Sequence, residues 1–276
     1  MWQQLLKPRT SASLVRTCLA ARKSTAAEGK ETHFGFQTVL EDEKEQRVYD
    51  VFENVATRYD LMNDTMSFGV HRIWKSYLVY KMDPESGSKL IDVAGGTGDV
   101  AFRYLDYVRR KDRQGHVTVC DINQPMLDVG KEKASQRGFT EEVEWVCGNA
   151  EQLPFHSQLF DYYTIAFGIR NCTHVDKVLS EAYRVLKPGG RFMCLEFAKP
   201  QSSILNSIYD WYSFQVIPVM GKVLAGDWNS YQYLVESIRQ FPKQEEFRRM
   251  VKDAGFNQVT HENLTNGIVA IYSGTK

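Results

Sequence analysis

The chain has 276 residues, 43% of them hydrophobic, which suits one large domain or one domain with an insertion. Its 34 basic and 34 acidic residues cancel, so no bulk field draws it to nucleic acid and none is expected as a partner. The five cysteines (18, 120, 147, 172 and 194) are scattered, with no Cys-x-x-Cys pair or Cys/His cluster. That pattern argues against a disulfide framework and a metal site, and for a reducing compartment.

Residues 1–27 carry Lys7, Arg9, Arg16, Arg22 and Lys23, no acid, and many Ser, Thr and Ala. Such a segment reads as a mitochondrial transit peptide, a disordered basic tail being the alternative. No run of 18 apolar residues is present, so no membrane span is expected. The polar, acidic stretch 28–44 is expected to link this segment to a domain over 45–276. From Glu45 the spacing of Val48, Phe52, Val55, Tyr59 and Met62 predicts a helix. A turn over Asn63–Gly69 follows. A second helix then puts Ile73, Trp74, Tyr77 and Leu78 on one face. These helices are expected to cap the site or to cover a sheet edge.

Lys89–Val93 is a short apolar strand containing Asp92, followed by Ala94-Gly95-Gly96-Thr97-Gly98 and by a helix opening at Asp99. Strand, glycine turn and helix begin a nucleotide-type binding unit. The glycines leave no Cβ between loop and ligand. Gly96 to Ala101 formally matches the dinucleotide fingerprint. An acid just before the glycines repels a diphosphate, however, and suits a cation. S-adenosylmethionine (SAM) carries an ammonium and a sulfonium, so a SAM site is the first reading and a nicotinamide site the second.

His116–Asp121 is a buried strand whose terminal Asp121 fits a ribose under either ligand. Its alternative role is a cap for the helix that starts near Pro125. Val143–Cys147 is a third strand, and Asn149 after it matches the donor and acceptor edge of adenine, or else serves a plain turn. Phe160–Phe167 is a fourth strand running into Arg170 and Asn171. Ligands in open parallel sheets lie outside the carboxyl ends of the strands, which places these two near the reacting end of the cofactor. A helix over Val178–Leu186 stops at Lys187-Pro188-Gly189-Gly190. Arg191–Phe197 is a fifth strand. Residues 200–240 interrupt the alternation with a helical, aromatic insertion that includes Trp211, Tyr212 and Phe214. Pro242 to Gly255 is helical, and Asn257–Thr260 with Ile268–Ser273 predicts a final antiparallel pair.

Several segments together resemble the ubiquinone/menaquinone biosynthesis C-methyltransferases. They are Asp92–Asp99, Asp121-Ile122-Asn123, Gly148–Phe155, Phe167-Gly168-Ile169-Arg170-Asn171, Arg184–Gly190 and Leu195-Glu196-Phe197. Ser230–Ile238, Tyr59–Asp64 and Ser67–Lys75 match as well. The resemblance covers roughly residues 48 to 272. It implies a class I SAM-dependent methyltransferase fold: an α/β, Rossmann-like, seven-stranded sheet with its last strand antiparallel. It also implies that Thr97 and the glycine loop with Gly95 and Gly98 meet the methionine end of SAM, beside the cation-favouring Asp92, with Asp121 on the ribose and Asn149 with Ala150 on the adenine. Ala94 replaces the first glycine of the broader methyltransferase pattern, as is normal for this family.

The implied reaction is C-methylation of a polyprenylated methoxy-benzoquinol in ubiquinone biosynthesis. A ring carbon becomes nucleophilic when a phenolic proton is lost, so the site needs a base or a cation that stabilises phenolate. Arg170 is the first choice as the cation, with a structural salt bridge as its alternative. Asn171 is placed to orient the ring hydroxyl. His71, with an unperturbed pKa near ~6.5, is the titratable candidate, and helix packing is its alternative. The insertion is expected to hold the prenyl tail, a membrane surface or a dimer contact. The resemblance further implies a peripheral position on the matrix face of the inner membrane, other coenzyme Q biosynthesis proteins as partners, and a homodimer. Two other classes stay open: a SAM enzyme acting on another small acceptor or a dehydrogenase with the same sheet, and a catalytically silent SAM-binding subunit.

Overall fold

Apolar strands alternating with amphipathic helices build a layered α/β unit over residues 31–276. The structure is a computed structural model, and it describes residues 30–55, 59–200, 215 and 228–276. The transit-peptide reading of 1–27 and most of the insertion, including Trp211, Tyr212 and Phe214, lie outside the described residues.

The stretch 28–44 is not a plain linker. β1 (Glu31–Phe34) and β2 (Gln37–Leu40) pair antiparallel, and α1 (Glu41–Val55) follows without a break. The turn between them needs Gly35 at φ +58°, and the Phe36 N–H donates to Glu236 Oε2 at 3.0 Å. Phe34 stacks on Tyr233 with centroids 4.1 Å apart. Two apolar residues flanking a glycine thus outweigh the polar composition that suggested a linker.

α2 (Tyr59–Ser67) occupies most of the stretch expected to be a turn, and the chain reverses at Phe68 and Gly69, both left-handed. α3 (Val70–Met82) buries His71, Trp74, Lys75, Leu78, Val79 and Met82. Ile73, placed on that face by the sequence pattern, is 67% exposed. The buried stripe runs i, i+3, i+4, i+7 from His71, and at about 100° per residue Ile73 falls about 200° from His71, on the opposite side.

β3 (Ser88–Val93), α4 (Asp99–Arg110), β4 (Gly115–Asp121), α5 (Gln124–Arg137) and β5 (Val143–Cys147) form the first half of the unit. β6 (Phe160–Ala166), α6 (Val175–Val185) and β7 (Leu186–Phe197) follow. α7 (Trp228–Gln240), α8 (Gln244–Asp253), β8 (Asn257–Leu264) and β9 (Val269–Thr275) complete it. β7 starts at Leu186 rather than Arg191, because Lys187–Gly190 continues it as strand. The seven-stranded sheet has the order β5-β4-β3-β6-β7-β9-β8. β9 runs antiparallel to both of its neighbours, and the other pairings are parallel. That is the expected architecture.

β3 pairs with β4 on one side and β6 on the other, so strand order reverses beside it. A crevice at the carboxyl ends of the strands is the consequence. Ile91 and Val93 face a core formed with α6 and α8. Leu90 faces a second core with α3 and α4. Strand periodicity sends Asp92 to the same side as Leu90.

Candidate active site

Register places Thr164 of β6 opposite Asp92 of β3. Its hydroxyl donates to Asp92 Oδ1 at 2.7 Å. Asp92 is fully buried, and its Oδ2 has no partner among the described residues. Burial pushes its carboxyl up to about 7, against the Thr164 hydrogen bond and the charge of Lys75. An orphaned buried carboxylate oxygen is costly on its own and suits a cation.

The loop beyond it has no room for side chains. A Cβ on Gly95 would lie 2.8 Å from Val119 and 2.9 Å from Asp92 Oδ2, and Gly98, at φ +84°, would meet Trp145 at 2.7 Å. The N-cap of α4 is Gly98, which has no side chain to cap the first turn. The residues present therefore fit SAM: a buried acid for its positive charge and bare backbone for close approach.

Asp121 ends β4 with its oxygens engaged by backbone. The Gly96 N–H donates to Oδ2 and the Asn123 N–H to Oδ1, each at 2.8 Å. Burial raises its carboxyl, and these N–H groups oppose the rise. Carboxylate lone pairs remain for ribose hydroxyls. The helix cap is a different residue, Asn123, whose Oδ1 accepts the Met126 N–H. Asn149 follows β5; its Oδ1 accepts the Glu151 N–H at 2.8 Å and its Nδ2 donates to Glu45 Oε1 at 3.3 Å. The amide expected to meet the adenine edge is thus engaged with Glu45 of α1. Ala150 beside it packs against the core. Thr97 is buried and accepts from Lys133 Nζ at 3.1 Å, and Lys133 pairs with Asp60 of α2.

Ala94 adopts φ +51°, an unusual conformation for a residue with a Cβ. A Cβ on Gly168 would lie 2.5 Å from that of Ala94. The glycine loop and the end of β6 thus abut, and Gly168 makes Ala94 admissible. Gly168→Ala is expected to destabilise the domain by about 1–3 kcal/mol through overpacking. It is also expected to weaken SAM binding. Thermal unfolding and calorimetry check this, and wild-type values in both would contradict it.

Phe167, next to this contact, lines a cavity of about 250 Å³ with His71, Trp74, Arg170, Phe197 and Tyr233. The sequence assigned His71 and Arg170 roles, and this cavity brings them together. Asn171 reaches it indirectly, its Oδ1 accepting the Tyr233 hydroxyl at 3.1 Å. Arg170 is a buried salt-bridge partner: Nη1 lies 2.8 Å from Glu196 Oε1, with exposures of 4% and 0%. It also donates to Phe167 O and Ser237 Oγ. His71 Nε2 lies 2.9 Å from Asp64 Oδ1.

Sequence reasoning gave no site role to Tyr233, Asp64, Trp74 or Lys75. All four sit in the segments that carried the resemblance, so the signal was present without an assigned role. Lys75 pairs with Asp99 at 2.9 Å. Burial works against that carboxylate, but Lys75 and Arg103 prevail and hold it at about 2. Among the described residues no group of three or more His, Cys, Asp or Glu is placed to hold a metal.

The mitochondrial 2-methoxy-6-polyprenyl-1,4-benzoquinol methylase of Bos taurus is 55% identical over 300 residues, covering 98% of this chain and 91% of that protein. The Drosophila melanogaster protein of the same name is 59% identical over 264 residues, covering 92% and 88%. A SAM-dependent methyltransferase of Thermotoga maritima, described as a possible histamine N-methyltransferase, superposes with a TM-score of 0.58 at 19% identity, covering 83% of this chain and 99% of that one. The Haemonchus contortus phosphoethanolamine N-methyltransferase 2 in complex with SAM gives 0.55 at 17% identity, covering 73% and 52%. These two structures share the fold. The model of the ubiE/COQ5 methyltransferase family matches residues 40–276, and the chain belongs to that family.

Proposed function

We propose that this protein methylates a ring carbon of a polyprenylated methoxy-benzoquinol with SAM, as a step of ubiquinone biosynthesis in mitochondria. The observation that carries the reading is the aromatic cavity beside the glycine loop. Trp74, Phe167, Phe197 and Tyr233 supply flat apolar walls for a ring, and His71 and Arg170 supply the polar groups a phenol needs. The names of the relatives supply the acceptor.

Asp92, Gly95, Thr97, Gly98, Asp121, Asn149 and Ala150 hold SAM in this reading. SAM supplies an electrophilic methyl group. The chain's own residues hold the ring in line with it, exclude water and promote loss of the phenolic proton; positioning contributes much of the acceleration. Tyr233, tied to Asn171, stays protonated because burial pushes its hydroxyl well up, so it serves as a hydrogen-bond donor. Residues 1–27 act as the transit peptide.

The protein sits peripherally on the matrix face of the inner membrane, with other coenzyme Q biosynthesis proteins, as a homodimer. Phe68, at the rim of the cavity and 79% exposed, supports the membrane contact. Among the described residues no helix is long and apolar enough to cross a membrane. The test is turnover of a short-prenyl methoxy-quinol with SAM. The reading expects a methylated product from the quinol and none from the corresponding quinone, whose ring is electron-poor. Equal turnover of both forms, or of neither, would overturn it.

A further inference from the structure

Methylation at carbon requires that the phenolic proton go somewhere, and few groups around the cavity can receive it. Arg170 cannot, because a guanidinium stays protonated and this one is bound to Glu196, Phe167 O and Ser237. Lys75 is paired with Asp99. His71 differs. Its ring is buried, its Nε2 contacts Asp64 Oδ1, and its Nδ1 has no partner among the described residues. Asp64 is itself fixed from the other side. Arg72 donates from Nε to Oδ1 and from Nη2 to Oδ2, each at 2.6 Å, and that contact holds the Asp64 carboxyl well below its usual range. An ionised carboxylate only accepts, so Nε2 carries the hydrogen and Nδ1 keeps its lone pair.

We propose that His71 is the proton acceptor of the reaction and that Asp64 is its positioning residue, with Arg170 holding the loop that shapes the cavity. This rests on the quinol methyltransferase reading. His71 lines two cavities: the aromatic one and a polar one of about 440 Å³ shared with Asp60, Arg72, Thr97, Asp99 and Lys133. It therefore stands between the ring's compartment and a route to water.

The steps balance as follows. The phenolic O–H breaks, its proton goes to Nδ1, and its electron pair stays on oxygen. The ring carbon's electron pair forms the new C–C bond as the methyl–sulfur bond breaks, leaving that pair on sulfur. The ring carbon then loses its hydrogen to water as a proton, and the imidazolium returns its own proton to the oxygen.

The charged groups that contact His71 or line its two cavities are Asp60 and Asp64 from α2, Arg72 and Lys75 from its own helix, Asp99, Arg103 and Asp106 from α4, Lys133 and Arg137 from α5, and Arg170. Burial first, and then Lys75, lower its pKa, while Asp64 and Asp99 oppose them. The ring is therefore neutral, and able to accept a proton, at neutral pH.

The experiment is the pH dependence of kcat and kcat/KM with SAM and a short-prenyl methoxy-quinol. His71→Gln is expected to lose about 100-fold or more in kcat, with unchanged SAM affinity. It is also expected to lose the acid limb that the wild type shows. His71→Ala should regain rate with added imidazole, which keeps the test independent of the Gln variant's folding. Asp64→Asn should move the acid limb to lower pH, because Asp64 raises the His71 pKa. Wild-type kcat and acid limb in His71→Gln, or an alanine variant that imidazole does not rescue, would overturn the assignment. No turnover by the wild type itself would instead overturn the parent reading.

Discussion

Removing the Glu196 carboxylate while Arg170 stays in place destabilises the domain by about 3–5 kcal/mol, the cost of an uncompensated buried charge. Arg170 and Glu196 are as buried as any ion pair in the described residues, at 4% and 0% exposure. Burial pushes the Glu196 carboxyl up, and Arg170 with the Phe197 N–H opposes it. The pair also has structural reach. Through Phe167 O and Ser237 Oγ, Arg170 ties the end of β6 to α7, while Glu196 sits at the end of β7. Urea denaturation of Glu196→Ala measures the cost. The double variant Arg170→Met/Glu196→Leu is expected to recover most of the stability without restoring turnover, since apolar replacement of a buried pair is often neutral. A Glu196→Ala midpoint equal to wild type would contradict this account of the pair.

SAM stabilises the protein more at pH 8 than at pH 6, and Asp92→Asn abolishes the difference. The sign follows from the raised carboxyl. Unfolded, Asp92 titrates near ~3.9; folded without ligand, it titrates at about 7. The folded state therefore holds an extra proton between these values, and its stability falls as pH rises through that window. Once Asp92 is ionised the loss reaches about 4 kcal/mol. A bound cation stabilises the ionised form and removes that penalty. Its affinity is full above pH 7 and falls up to about tenfold per unit below it. Asp92→Asn is expected to weaken SAM binding by about 1.5–3 kcal/mol, the scale of a hydrogen bond to a charged group. Calorimetry and thermal shift across pH read both effects. A SAM shift equal at pH 6 and pH 8 would remove the electrostatic role given to Asp92.

The sheet was legible because its strands are short apolar runs ending in acids or turns, and the glycine loop marked where order reverses. The places of Asp92 and Asp121 in their strands were legible for the same local reason. What escaped was set by contacts far apart in sequence. The β1–β2 hairpin depends on Phe34 meeting Tyr233 and on Glu236 meeting the turn, which no local pattern announces. The buried face of α3 was misplaced at Ile73, because apolar identity is a poor guide where the helix buries His71 and Lys75. Arg170 carried both a functional and a structural reading, and only its contact with Glu196 in another strand shows how firmly it is bound. His71 was visible as a titratable group, but its partner Asp64 sits seven residues away in a different helix.

The most direct measurement uses SAM labelled with ¹³C in its methyl group and a short-prenyl methoxy-quinol, with the product read by NMR. The account predicts a single new methyl signal bonded to a ring carbon, formed more slowly by the Asp92→Asn enzyme when SAM is limiting. A label found on oxygen, or left on SAM while the purified protein binds a nicotinamide dinucleotide at the glycine loop, would contradict it.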